Sequence, residues 1–474
     1  MKIRMRSFLL VCLSVLGAVA SAAEKPRVFR AGAAASNITP PLGSSINGGF
    51  QDGKAAQIHD ELHARCLAFD DGTTKLVLVI ADNCVIQRSI FDDAKRQVLE
   101  ATGLPMENML MSATHSHSCG TLTPVGQSEP SPTYQKFVAN RIADGVRRAL
   151  NNLEPARIGW GFAEVPHHVF NRRWRLKPGT MPANPFGSTS DQVKMNPGVG
   201  NVNLVEPAGP TDPQVWFLSV QSSSGRPIAL YANYSLHYVG GVGPGHISAD
   251  YFGVFADRIQ ELLGADRQDP PFVGAMSNGA SGDINNVNFR GGQPKLPPYG
   301  RIRLVADDVT QEVARACQTL KYQDWVPLGV AQTEVTLGLR LPSSEEVEKA
   351  REVMKQSKSF PRMETSEQVY ARETVLLRDF PAQVSAPLQV LKFGELRISA
   401  IPAEVFVEIG LELKRRHPVS FAVSLANAYH GYLPTPEQHQ LGGYETWRAR
   451  SSCLEVDAST KIVAGLEELF ERLK

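Results

Sequence analysis

The run KLVLVIADN (75–83) is apolar until it turns abruptly polar. That is the pattern of a buried strand whose C-terminal end opens onto a site. SIFDDAKRQVLEATG (89–103) is amphipathic and closes on a glycine, which predicts a helix. NMLMSATHSH follows as a second strand, and TYQKFVANRIADGVRRALNNL (133–153) as a longer helix. This alternation predicts an α/β fold. Further strands are expected at QVWFLSVQ, PIALYANY and PFVGAMSN, with helices over 251–264 and 300–319. VPLGVAQTEVTLGLRL opens a strand-rich part, and 344–377 reads as a helical stretch. LQVLKFGELRISAIPAE predicts a hairpin turning at Phe393-Gly394, then a helix from about Glu404, and the last helix spans 457–473. The segment 165–213 is rich in Asn, Pro, Gly and Arg and reads as long loops around a site. Neither a repeat nor a linker divides the pattern, so one large domain is expected.

Composition narrows the function classes. The 474 residues carry 49 Lys and Arg against 48 Asp and Glu, for a net charge of +1. The signs are interspersed, and no basic stripe of the kind that binds nucleic acid stands out. The first residues, MKIRMRSFLLVCLSVLGAVASAAEKP, have a basic start, a short apolar run and small residues at Ala20-Ser21-Ala22. They read as a secretory signal over residues 1–22, leaving a mature domain over 23–474 that is exported to the periplasm or beyond. Leu10-Val11 before Cys12 fits a lipoprotein site poorly, and nothing later is long and apolar enough to span a membrane. Cys66, Cys84, Cys119, Cys317 and Cys453 are odd in number and widely spaced. They form neither a disulfide framework nor a thiolate zinc site, though one bridge is compatible with export.

Four places carry candidate chemistry. In extended backbone, residues two apart share a face, so His115 and His117 of ATHSHSCG are expected to point the same way at a strand end. Paired imidazoles there serve either as metal ligands or as strand-end polar groups bonded to loops. His237 stands where PIALYANYSLHYVGG stops being strand-like, before Gly240 and Gly241. Glu404 is either a functional carboxylate or a helix-capping acid. Tyr429, Tyr432 and Tyr444 lie in the Gly- and Pro-punctuated stretch 427–445, where aromatic packing is the default reading.

Taken together, THSH, a strand-end His, PAEVF and a GY…YE loop resemble the catalytic domain of the neutral (alkaline, non-lysosomal) ceramidases. The resemblance runs from about Ala31 to about Trp447, with supporting stretches AGAAASNITPPLG, NRRW and ISADYFG. It implies an α/β fold of two β-sheets packed together and flanked by helices, in a single large catalytic domain without the immunoglobulin-like domain of longer members. It implies zinc held by His115, His237, Glu404 and Tyr432, with His117 beside the metal as proton carrier. Tyr444 or Arg172 is then the group that stabilises an oxyanion. The implied activity is hydrolysis of an N-acyl bond, in ceramide or a related lipid, by water that zinc activates. Such a substrate is compatible with peripheral contact with membrane lipid.

One stretch departs from the family. Where its members carry a serine in a GDVSPN-like hexapeptide, this chain reads GDINNV, with Asn285 at the serine position and Asn286 at the proline position. A carboxamide donates and accepts hydrogen bonds but forms no acyl-enzyme. Asn285 is therefore expected to bind substrate, with Asp283 orienting either a ligand or Asn285, or serving the turn; Ser281 reads as a turn residue. The departure keeps two other functions open: a zinc hydrolase of a different N-acyl or ester substrate on the same scaffold, and a non-catalytic exported lipid- or glycan-binding protein.

Overall fold

In the strand Lys75–Ala81, Leu76, Leu78 and Ile80 enter one apolar cluster, and Val77, Val79 and Ala81 enter another. The two-residue repeat of a strand thus supplies two cores at once. The computed structural model describes residues 27–266 and 268–474, so the leader expected over 1–22 lies outside the described residues. Lys75–Ala81 belongs to an eight-stranded sheet. Its order is Val273–Asn278, Pro227–Tyr234, Gln214–Ser222, Glu154–Glu164, Arg30–Asn37, His63–Asp70, Lys75–Ala81, Met109–Ala113. The outermost pair at each edge is parallel and the pairs between are antiparallel. A second sheet holds Leu328–Gly338, Gln383–Phe393, Leu396–Ala400 and Ser420–Val423.

The two sheets share a core. Leu67, Phe69, Leu78, Trp216 and Tyr231 of the larger meet Leu391, Phe393, Ile398 and Phe421 of the smaller. Phe69 and Phe393 meet edge to face at 5.0 Å. Each such side chain contributes about 1.5–3 kcal/mol when buried. On the outer face of the larger sheet lie helices Arg88–Thr102 and Pro132–Asn151, and, further along, Asp250–Leu262 and Gly300–Cys317. Val407–Arg416 and Ala458–Arg472 cover the outer face of the smaller sheet. The expected architecture, two packed sheets flanked by helices, is the one observed.

The segment after Ser420–Val423 ties the two edges of the larger sheet together. Ser424 donates its N–H to Asn278 O at 3.0 Å and its hydroxyl to Gly279 O at 2.7 Å, on one edge. On the other, Ala113 N–H donates to Leu425 O at 3.2 Å and Asn427 N–H to Met111 O at 2.7 Å. The turn needs left-handed backbone at Leu425 and Asn427, with φ of 55° and 64°. Strand ends that are remote in the sheet order therefore open onto one place.

Three local expectations are corrected. The helical stretch 344–377 is two helices, Ser344–Lys355 and Ser366–Leu377, each started by its own capping box at Ser343/Glu346 and Thr365/Gln368. The stretch 165–213 is not all loop: Arg173–Leu176 pairs with Val193–Met195 and Leu204–Pro207. The helix expected from Glu404 begins at Val407, and Glu404 sits in a two-residue strand with Val405. Its carboxylate is therefore not a helix cap.

Candidate metal centre

The strand Met109–Ala113 ends two residues before His115, so the shared-face argument for His115 and His117 does not describe the geometry. His115 has left-handed backbone, φ 74°, which a residue with a Cβ seldom adopts. It is held there by its N–H donating to Asn83 O at 2.8 Å and its ring Nδ1 donating to Cys84 O at 2.9 Å. The imidazoles converge nonetheless, with His117 Nε2 at 3.3 Å from His115 Nε2. The His117 ring stacks on Tyr238 at 3.7 Å. Gly48 backs it, since a Cβ on Gly48 would lie 2.6 Å from the His117 Cβ.

His237 follows the strand Pro227–Tyr234 and is buried. Its Nδ1 donates to Ser281 O at 3.0 Å, and its Nε2 lies 3.0 Å from His115 Nε2. A carbonyl only accepts, so both rings carry their proton on Nδ1 and, when neutral, present lone pairs at Nε2. Burial, reinforced by His115 and Arg172, holds His237 well below the ordinary histidine pKa and keeps it neutral. Glu404 completes the cluster, its Oε2 at 3.3 Å from His115 Nε2 and 4.0 Å from His237 Nε2. That oxygen is buried with no hydrogen-bond partner, while Oε1 accepts from Tyr429 OH at 2.9 Å. Burial alone would raise the Glu404 pKa, but His115, Arg172 and Tyr432 outweigh it and hold the carboxyl below its usual value. His115, His237 and Glu404 thus aim three lone-pair donors at one point. Neighbouring lone pairs with no proton between them fit a cation, and the Nδ1–carbonyl bonds are the kind that orient histidine ligands.

Tyr432 reaches this point because its strand pairs in parallel with that of Glu404, register Glu404 to Tyr432. Its hydroxyl accepts from Arg172 Nη2 at 3.1 Å. Burial and Glu404 push its pKa well above the ordinary tyrosine value, against the pull of Arg172. Arg172 also reaches His237 Nε2 at 3.3 Å and donates from Nε to Glu445 Oε1 at 2.9 Å. Arg173 takes the other oxygen of Glu445 at 2.6 Å. Burial works against the Arg172 charge, but Tyr432 and Glu445 outweigh it and raise its pKa. The guanidinium is thus a fixed cation beside the three donors. His115, His117, Glu404, Tyr429, Tyr432 and Tyr444 line one cavity of about 210 Å³. A second group, Cys84, His115 and His117, also brings its ligand atoms together. Burial raises the Cys84 thiol well above its ordinary pKa, which disfavours the thiolate a metal would need.

Asp283 and Asn285, expected to contact substrate, are placed elsewhere. Asp283 is fully buried and accepts from Asn171 Nδ2 at 2.7 Å and from Val407 N–H at 2.9 Å, so it caps the helix Val407–Arg416. Burial pushes its pKa up to about 7. Asn285 donates to Asn196 Oδ1 at 2.7 Å and accepts from Val287 N–H at 2.9 Å. Neither lines the cavity that holds His115 and Glu404. Three contributors escaped the sequence reading. Tyr429, in a stretch whose expected role is aromatic packing, orients Glu404, whereas the carbonyls of Cys84 and Ser281 act through backbone that side-chain identity does not report. The five cysteines among the described residues are free and buried.

Residues 29–369, well over half of the chain, match the family described as neutral/alkaline non-lysosomal ceramidase, N-terminal. The chain is 22% identical to the neutral ceramidase of Mycobacterium tuberculosis over 487 aligned positions, covering 89% of this chain and 73% of that protein. It superposes on the crystal structure of neutral ceramidase from Pseudomonas aeruginosa with a TM-score of 0.72 at 18% identity, over 95% of this chain and 75% of the other. A ceramidase complexed with C2 gives a TM-score of 0.68 at 16% identity, over 94% and 76%. The structural likeness concerns the fold, and the match over 29–369 carries the membership: the chain belongs to the neutral/alkaline non-lysosomal ceramidase family.

Proposed function

We propose that this protein is an exported, zinc-dependent amide hydrolase that cleaves the N-acyl bond of ceramide or a related N-acyl lipid. The observation that carries the reading is the unpartnered Oε2 of Glu404 facing the unprotonated Nε2 atoms of His115 and His237. These three residues, with the Tyr432 phenol as fourth donor, would hold the ion. When bound, zinc supplies Lewis-acid polarisation of a carbonyl and acidifies water toward neutral pH. The chain's own groups supply the rest. The His117 ring, stacked on Tyr238 and 3.3 Å from His115 Nε2 in the cavity wall, is the group placed to take a proton from the attacking water and return it to the leaving nitrogen. Arg172 holds a permanent positive charge where the acyl oxygen gains negative charge, and Tyr444 offers a hydroxyl from the cavity wall. Phe50, Val85, Val125 and Val369 make much of the wall apolar, which suits an acyl lipid and excludes water.

Export rests on the leader-like residues 1–22, and N-terminal sequencing of the mature protein should find a start near Ala23. No helix among the described residues is long and apolar enough to cross a membrane, so a lipid substrate would be met by peripheral contact. The placement of Asn285 favours a second reading, hydrolysis of a different N-acyl or ester compound on the same scaffold, because the residue at the family's serine position does not line the cavity. The decisive experiment pairs metal analysis with turnover of N-acyl sphingoid bases and N-acyl amino acids. About one zinc per chain is expected, with activity lost to a chelator and restored by zinc. Turnover that survives complete metal removal would refute the proposal.

A further inference from the structure

The cavity around the candidate metal centre is one of two that meet. Phe50, Met195 and Tyr444 line it and also line an adjoining groove of about 540 Å³. The two differ in how they are bounded. The groove runs between Met181–Pro185, Lys194 and the N-terminal end of helix Ser366–Leu377 at Thr365–Glu367, and its wall mixes apolar with charged side chains. The smaller chamber, about 210 Å³, is walled by the next turns of the same helix through Val369, Tyr370 and Glu373.

Glu373 is 5% exposed and wholly committed. Its carboxylate accepts from Arg450 Nε at 2.8 Å, Arg450 Nη2 at 2.7 Å and the Arg450 backbone N–H at 3.2 Å. Arg372 approaches the same carboxylate at 3.7 Å. Both guanidinia also donate to Gly126 O, at 2.7 Å from Arg372 and 2.9 Å from Arg450. Gly126 lines the chamber too, so the ion cluster fastens two of its walls together. At the mouth, Tyr370 meets Phe50, Phe186 and Trp447 edge to face, at 6.0, 5.6 and 5.6 Å. An alkyl chain that lengthened through this wall would have to part a buried ion pair and leave its charges unmatched, which is strongly unfavourable.

We propose that the chamber is an acyl pocket stopped at the Glu373–Arg450 wall, which admits a compact acyl group, while the amine-side arm of the substrate runs past Phe50, Met195 and Tyr444 along the groove. The proposal rests on the amide-hydrolase reading and adds its selectivity: short acyl groups, a larger and partly polar amine half. Glu373–Arg450 and Val369 are its specificity determinants.

The test uses the zinc-loaded full mature chain with acetyl, hexanoyl and palmitoyl amides of one sphingoid base, compared by kcat/KM. The acetyl and hexanoyl compounds should exceed the palmitoyl one by about tenfold or more, since each misplaced methylene is discriminated in an apolar pocket with a fixed end. Val369→Ala should move the preference toward longer acyl groups and Val369→Phe toward acetyl. The double variant Glu373→Leu/Arg450→Leu, which replaces the ion pair with apolar groups, should raise the palmitoyl rate relative to hexanoyl. Equal or faster palmitoyl turnover by the unmodified protein would overturn the stopped pocket. Calorimetric binding of hexanoate against tetradecanoate reads the chamber without turnover: tighter hexanoate binding, weakened by Val369→Phe, supports it, and tighter tetradecanoate binding defeats it. A protein that binds hexanoate in this way and cleaves no amide would refute the hydrolase reading and leave the pocket standing.

Discussion

Two neighbouring polar regions of this molecule, one fully buried and one running from the buried Asp283 to the partly exposed Asn285, are built on opposite rules. Around His115, His237 and Glu404 the outer atoms are satisfied, by the carbonyls of Cys84 and Ser281 and by the Tyr429 hydroxyl, while of the inner atoms Glu404 Oε2 has no partner and His237 Nε2 meets only Arg172 and His115. Around Asp283 and Asn285 the bonds close on the protein itself: to Asn171 and Val407 for the acid, to Asn196 and Val287 for the amide. A buried polar group without a partner is costly. A fold that leaves Glu404 Oε2 without a partner, against the Nε2 lone pairs of His115 and His237, is one whose cost something else offsets, and a cation does so. The closed network needs no such visitor, and it reads as scaffold.

This contrast breaks most sharply at His237. His237→Ala removes one donor and the bond to Ser281 O together, so zinc content should fall from about one per chain to near zero and activity with it. Plasma emission analysis of the purified variant decides; full zinc content would mean that the ion sits elsewhere. His117→Ala comes next. It takes away the proton carrier and leaves the three converging donors, so zinc should remain while kcat falls by roughly 10²–10⁴. Loss of zinc in that variant would instead make His117 a ligand, and the Cys84–His115–His117 grouping the centre.

Much of this was readable in the sequence, though for uneven reasons. The strands and helices that carry the cores follow from periodicity, because burial on two faces writes its pattern directly into residues such as Leu76–Ile80 and Leu388–Phe393. His115 and His117 were found by an argument that the backbone does not obey. The strand stops at Ala113, and a left-handed turn, which no local pattern announces, brings the rings together. Glu404 was located through the family resemblance, while its local setting was misread: Pro402 looked like a helix start, but a parallel pairing with Tyr432 holds the segment extended. Asp283 and Asn285 lie outside the cavity wall for a reason of a different kind. A residue type tells what bonds can be made, and only the fold tells that Asn171, Val407, Asn196 and Val287 have already made them.

Tyr429 sharpens the comparison at its boundary, since it belongs to the satisfied outer layer yet acts on the unsatisfied inner one. Tyr429→Phe deletes only the hydrogen bond to Glu404 Oε1 and keeps the ring. The carboxylate is then free to turn, and zinc affinity should drop by about 10–100-fold, the usual cost of losing a group that orients a ligand. Competition against a chromogenic chelator measures this without substrate. Unchanged affinity would show that Glu404 is held by its strand alone.

The smallest effect is expected at Asn285, and there it tests the other half of the contrast. If the residue at the family's serine position touched substrate, Asn285→Ala would raise KM, and Asn285→Ser would restore a hydroxyl contact and shift selectivity toward ceramide. The geometry predicts neither. The carboxamide bridges to Asn196, whose neighbour Met195 lines both cavities, so its removal loosens a supporting loop and not a contact in the chamber. Asn285→Ala should cost about 1 kcal/mol of stability, the ordinary worth of one hydrogen bond. It should leave zinc content intact and KM nearly unchanged across the acyl series. Asn285→Ser should behave in the same way, because a shorter side chain in that position reaches Asn196 less well and the cavity no better. Denaturation midpoints together with steady-state kinetics on both variants separate the outcomes. A large rise in KM at constant stability would place residue 285 in contact with substrate after all, and would require the segment Gly282–Asn286 to move when substrate binds.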